Sequence, residues 1–160
     1  MADQVVRSEV IAQYTSVDEH LNLVLIEHFF GRGKLLRRRR LTKRFRTFRL
    51  VLQRLYFLRK LGLIRSFRAV PNRIVSSLYA LNELRNGIAH AFFVRDMPRS
   101  KQVFKNRDVF DSDGLEFFRE DMRLVHEFFN LELRDLFAGL EDNGQLGAAS
   151  AARTQRLARR

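Results

Sequence analysis

Residues 71–90, PNRIVSSLYALNELRNGIAH, decide the fold. Ile74, Leu78, Leu81, Leu84 and Ile88 recur at intervals of three and four, the period of one face of an α-helix. Pro71 and Asn72 open that helix, because proline lacks an N–H that a first turn leaves unpaired anyway. Toward its end the same helix carries Arg85, Asn86 and His90, so the stretch that sets the fold also sets the candidate chemistry. Asn86 and His90 are four apart and share a face, while Arg85 lies about 100° to the side. Ala89, four after Arg85, leaves the guanidinium room to lean across. Gly87 is unfavourable inside a helix by about 1 kcal/mol against alanine, so its presence predicts a close approach of another backbone or a ligand.

Working outward, apolar spacing predicts three more helices. The first runs from about Val5 to Phe30, with Val10, Tyr14, Val17, Leu21, Val24, Leu25 and His28 at helical intervals and Gly31 and Gly33 as its stop. The second, about Leu36 to Leu61, presents Leu41, Phe45, Phe48, Leu52 and Leu55 as a packing seam and is closed by Gly62. Beyond Pro98, the segment VFKNRDVF predicts a small hairpin around Lys105 to Arg107. Asp111 to Asp113 cap a last helix that reaches about Leu140, with Leu115, Phe118, Met122, Val125 and Phe129 facing in. The chain thus reads as all-α. With 160 residues, 46% hydrophobic content and 15 Phe it can bury one core but not two. Residues 1–140 form the single expected domain, and 141–160, almost without large apolar side chains, a flexible basic tail.

Several function classes are excluded by composition. There is no Cys, so structural disulfides and thiolate zinc sites are ruled out and the chain suits a reducing cytoplasm. The start MADQVVRSEV carries Asp3 and no basic lead into an apolar run, unlike a signal peptide. No membrane span is expected, since the most apolar stretch, LNLVLIEHFF, is broken by Asn22, Glu27 and His28. His20 and His28 are eight apart and cannot chelate one ion, because good helical pairs are four apart. Gly31-Arg32-Gly33-Lys34 is too short to cradle a phosphate. No metal or cofactor is therefore expected.

Charge is unevenly spread. Residues 28–82 contain no acid but 16 Lys and Arg, more than the whole net charge of +12. Such a surface attracts polyanions with steep salt dependence. Arg37, Arg38, Arg39 and Arg40, with Lys43 and Arg44, are the expected RNA-binding group, because four consecutive residues point to all sides of a helix and cannot all find internal partners. Phe45 and Phe48 belong to the seam, so core packing is favoured over base stacking. The last helix offers a rival use for arginines through Asp111, Asp113, Glu116, Glu120, Asp121 and Glu127.

A bare Arg-then-His spacing arises by chance roughly twice in so arginine-rich a chain, and a second pair, Arg119 and His126, is present. There Glu120 follows the arginine and would repel a phosphodiester, which marks that pair as spurious. The run LRNGIAH, by contrast, resembles the signature of HEPN domains (higher eukaryotes and prokaryotes nucleotide-binding). In these an Arg, a following polar residue and a His after four to six positions lie on one helix of an all-α bundle. TSVDEHLNLVLIEHFF and RLYFLRKLGLI are similar to the bacterial branch related to the mannitol repressor protein, so the resemblance spans about residues 10 to 135. It implies a four-helix up-down bundle, and a metal-independent endoribonuclease that works as a homodimer on RNA. Arg85 would stabilise charge on the phosphorane, Asn86 would orient the histidine or the phosphate, and His90 would move the proton. The resemblance permits a toxin or defence effector restrained by an antitoxin protein. It also includes silent members, so the alternative is a helical regulator that binds RNA, DNA or a partner without turnover.

Overall fold

The computed structural model describes residues 2–30, 43–91 and 97–133, and within them the protein is mostly helical with one small hairpin. Helix α1 (Ala2–Phe30) buries Val6, Val10, Val17, Leu21, Val24 and Leu25, a stripe at helical spacing, and packs against two later helices. His28, expected on that stripe, is instead exposed and lies flat on Phe67 with ring centroids 3.6 Å apart. Its neighbour Glu27 turns inward, 5% exposed and 3.8 Å from Arg68. The expected stops Gly31 and Gly33, along with Leu36 and Leu41, lie outside the described residues.

The single second helix expected over Leu36 to Leu61 is two helices, α2 (Lys43–Arg54) and α3 (Phe57–Phe67). The reason is phase. Leu52 and Phe57 are both buried yet five apart, about 140° around one continuous helix. A break at Leu55 and Tyr56 turns Phe57, Leu61 and Ile64 back to the core. Gly62, expected to end the helix, sits within α3, where the helical bonds of its neighbours override its weak propensity. Phe30 meets Phe45 and Phe48 edge to face at 5.4 and 5.1 Å, which fixes the end of α1 on α2.

Helix α4 (Asn72–His90) starts after Pro71, whose carbonyl accepts from Val75 N–H, and buries Ile74, Leu78, Leu81, Leu84 and Ile88. It packs on α1, on α3 and on the segment that follows, a 3₁₀ turn at Arg99–Lys101 and the antiparallel strands β1 (Val103–Phe104) and β2 (Arg107–Asp108). The hairpin turn needs positive φ at both central residues, and Lys105 (48°) and Asn106 (66°) supply it. Asparagine accepts that conformation readily and lysine does not. The cost at Lys105 is offset by its ammonium, which donates to Ser77 Oγ and Asp121 Oδ2, both at 2.8 Å. Asp121 is 3% exposed and Ser77 1%, so one turn lysine locks α4 to the last helix, α5 (112–133). Gly114 opens α5 directly over the hairpin, where any Cβ would come within 1.7 Å of the Asp108 carbonyl oxygen. The expected extension of α5 to Leu140 and the tail at 141–160 lie outside the described residues.

Two further polar contacts hold the helices together. Lys60 is only 2% exposed and reaches both Asp18 carboxylate oxygens at 2.7 Å, joining α3 to α1. His126 on α5 donates from Nε2 to Gln13 Oε1 on α1 at 2.6 Å, with the His20 ring 5.3 Å away. Burial, reinforced by His20, pushes the His126 imidazole below its ordinary value of 6.5. The unfolded chain therefore binds this proton more readily than the folded one, so the contribution is complete above about pH 6.5 and is lost as pH falls through the folded value. The melting temperature is expected to fall from pH 7 to pH 5 more steeply in the parent than in His126→Gln. Parallel melting profiles for the two would assign the slope to other groups.

No helix among the described residues is long and apolar enough to cross a membrane.

Candidate functional site at the end of the fourth helix

The inward stripe of α4 fixes which side its polar residues take. With Leu84 and Ile88 buried, Arg85 and Asn86 are half-buried at its margin and His90 is exposed on the last turn. Arg85 Nη1 donates to Asn86 Oδ1 at 3.2 Å, and the guanidinium carbon stands 4.9 Å from the centre of the Tyr14 ring. Tyr14 is itself stacked on Phe57 at 4.7 Å, so α1 and α3 together form an aromatic shelf under the arginine. Burial raises the Tyr14 phenol above its usual range, against the opposing pull of Arg85. The shelf is thus a neutral ring at any ordinary pH. Among the described residues no carboxylate pairs with Arg85, and the His90 ring has no hydrogen-bond partner.

The end of α4 is fastened from outside. Arg7 on α1 donates from Nη2 to the carbonyl oxygens of Ile88 (3.0 Å) and Ala91, which a helix end leaves without internal partners. An open groove of about 510 Å³ runs here between α1 and α4, lined by Arg7, Ser8, Ile11, Ala12, Ile88 and Ala89. The close approach expected at Gly87 is made by the 3₁₀ turn, since a Cβ there would lie 2.9 Å from both Cβ and the carbonyl oxygen of Lys101. Gly87→Ala should lower unfolding free energy by about 1–3 kcal/mol, as overpacking does. Urea unfolding reads this, and a variant as stable as the parent would mean that the turn moves aside freely.

The spurious pair is committed to structure. Arg119 holds Glu9 with two bonds of 2.6 Å, and His126 is half-buried against Gln13. A larger depression of about 1030 Å³ near the start of α5 includes Arg119 and Arg123. Both are already neutralised there, the second by Glu120 and Glu127, while the third cation of its lining, Arg107, lies 4.1 Å from the centre of the Phe117 ring; the smaller groove is taken as the candidate because it adjoins the motif helix α4. Of the expected RNA-binding group, Lys43 and Arg44 are exposed on α2, with Arg44 6.0 Å from the Phe30 ring centre. Arg37, Arg38, Arg39 and Arg40 lie outside the described residues. Sequence reasoning missed Tyr14 as the shelf, having placed it in the core stripe, and missed Arg7 altogether. Nor do any three His, Asp or Glu side chains converge on a common point among the described residues.

No protein-family model matches this chain, and no curated protein or solved structure shows a significant match to it.

Proposed function

We propose that this protein is a metal-independent endoribonuclease that cuts single-stranded RNA with Arg85, Asn86 and His90, as its HEPN resemblance implies. The observation that carries the reading is the accessibility of all three at one end of α4, with the guanidinium held on Tyr14 and unneutralised by any described carboxylate. In this reading the ribose 2′-hydroxyl gives its proton to His90 and its oxygen attacks the adjacent phosphorus. The bond to the 5′-oxygen breaks, and that oxygen leaves with a proton from water. Arg85 stabilises the charge on the phosphorane. Arg85 and His90 are five positions apart, about 140° around the helix, so one copy turns them to different sides. A C2 homodimer that brings two α4 ends together lets each guanidinium meet the other copy's imidazole. The bundle is then the HEPN-like four-helix up-down arrangement, with α2 and α3 as one bent second helix. Such an enzyme fits the cytoplasm, as a toxin or defence effector restrained by an antitoxin protein.

The test is incubation with end-labelled RNA in EDTA. Expected products carry a 2′,3′-cyclic phosphate and a 5′-hydroxyl, and DNA of the same sequence stays intact because it lacks the nucleophile. Equal cleavage by Arg85→Ala would reveal a contaminant and remove the site assignment.

One observation favours a second reading. The contacts of Arg85 with Tyr14 and Asn86 also brace α4 against α1, which suits a silent helical regulator that binds RNA, DNA or a protein partner. Binding without turnover, with Arg85→Ala lowering the melting temperature or dimerisation, would identify that case.

A further inference from the structure

The break between α2 and α3 turns two successive aromatic rings in opposite directions. Phe57 goes inward, 3% exposed, onto Tyr14 and so beneath Arg85, whereas Tyr56 goes outward, 82% exposed, with no ring or hydrogen-bond partner for its side chain among the described residues. The backbone of Tyr56 is nonetheless fixed. Its φ and ψ of −63° and 146° are those of an extended helix-capping residue, and its carbonyl accepts from the N–H groups of Arg59 and Lys60 at 2.9 and 3.1 Å. The ring therefore stands on a rigid joint. Arg54 and Arg59 flank it, both exposed, and Lys43 and Arg44 continue the positive surface along α2. Among the described residues no carboxylate pairs with Lys43, Arg54 or Arg59. A single exposed aromatic means little by itself. One on a fixed backbone, amid cations that no described carboxylate neutralises, has the make-up of a stacking platform on a backbone-tracking surface.

We infer that Tyr56 stacks a base of single-stranded RNA, with Arg54 and Arg59 on the neighbouring phosphates, and that the strand continues along the basic face of α2. The inference takes its ligand class from the RNA reading above, but it concerns binding and does not require turnover. Duplex RNA keeps its bases stacked inward and offers the ring nothing comparable.

The experiment measures fluorescence anisotropy of a labelled 2′-O-methyl oligonucleotide, single-stranded or annealed to its complement, with the full chain. This ligand cannot be cut, so a protein without nuclease activity still reports on the platform. Tyr56→Ala is expected to weaken single-strand binding about tenfold and duplex binding less than about twofold, with Tyr56→Phe close to the parent. The exposure of the ring leaves folding intact, which circular dichroism verifies. Equal losses on both ligands, or no loss on either, would overturn the assignment. So would Tyr56-dependent sedimentation with phosphatidylserine vesicles and no effect on the oligonucleotide, which would make the ring a membrane contact.

Discussion

His90→Ala is expected to slow RNA cleavage by about 10²- to 10⁴-fold while leaving the melting temperature near that of the parent. The first half follows from the role of a proton carrier, which water replaces poorly. The second follows from the position of the ring, exposed on the last turn of α4 and without hydrogen-bond partners among the described residues. Arg85→Ala should reduce the rate by about 10²- to 10³-fold and also cost some stability, because its guanidinium rests on Tyr14. Single-turnover cleavage of labelled RNA in chelator measures both. If the two variants are mixed and the dimer presents each arginine to the other copy's histidine, a mixed dimer regains one intact site, so activity should partly return. A His90→Ala protein that cuts at the parental rate would end the proposal for this residue.

Asp121→Ala should be the most destabilising single change away from the site. The carboxylate is 3% exposed and holds Lys105 at 2.8 Å, with Arg73 at 3.7 Å. Its removal strands a largely buried ammonium whose only other hydrogen-bond partner among the described residues is Ser77. Loss of one member of such a buried pair costs about 3–5 kcal/mol, which corresponds to a melting temperature lower by about 10 °C or more. The positive φ at Lys105 adds to this, because the turn then has nothing to offset its strain. Replacing the pair together, with Asp121→Leu and Lys105→Gly, should recover part of the loss, since the charge left without Asp121, Arg73, is exposed to water and glycine accepts the turn. Thermal unfolding of the single and double variants decides it. An Asp121→Ala protein that melts within about 2 °C of the parent would show that the lysine finds water instead.

Where a stripe of apolar residues and a local turn signal coincide, the fold can be read without coordinates. The span of α4, its five inward residues and the hairpin at Lys105 to Arg107 all belong to this class. The break at Tyr56 does not. It has neither glycine nor proline, its side chain makes no capping bond, and its cause is the mismatch in phase between Leu52 and Phe57, which exists only once both have a core to reach. Gly62 misled for the complementary reason: it looks like punctuation, yet Leu61 just before it and Ile64 two positions after it are anchored at 1% exposure. The motif trio of Arg85, Asn86 and His90 was visible as a pattern, but its support was not. Tyr14 reads as one more residue of a packing stripe, and Lys60 as one more surface cation, until α1 and α3 are placed side by side. Charge type alone does not tell which cations are spent within the fold. Among the described residues, Lys60, Arg68 and Arg119 are, whereas Arg54 and Arg59 are not.

Helix ends ordinarily fray, and a histidine on the closing turn would be expected to wander with it. The grip of Arg7 on the carbonyls of Ile88 and Ala91 changes that. The closing turn cannot unwind without first letting go of α1, so backbone amide exchange near residue 90 becomes hostage to events some eighty positions earlier. Any body that seizes the opening turns of the chain thereby has a lever on the imidazole without ever touching it.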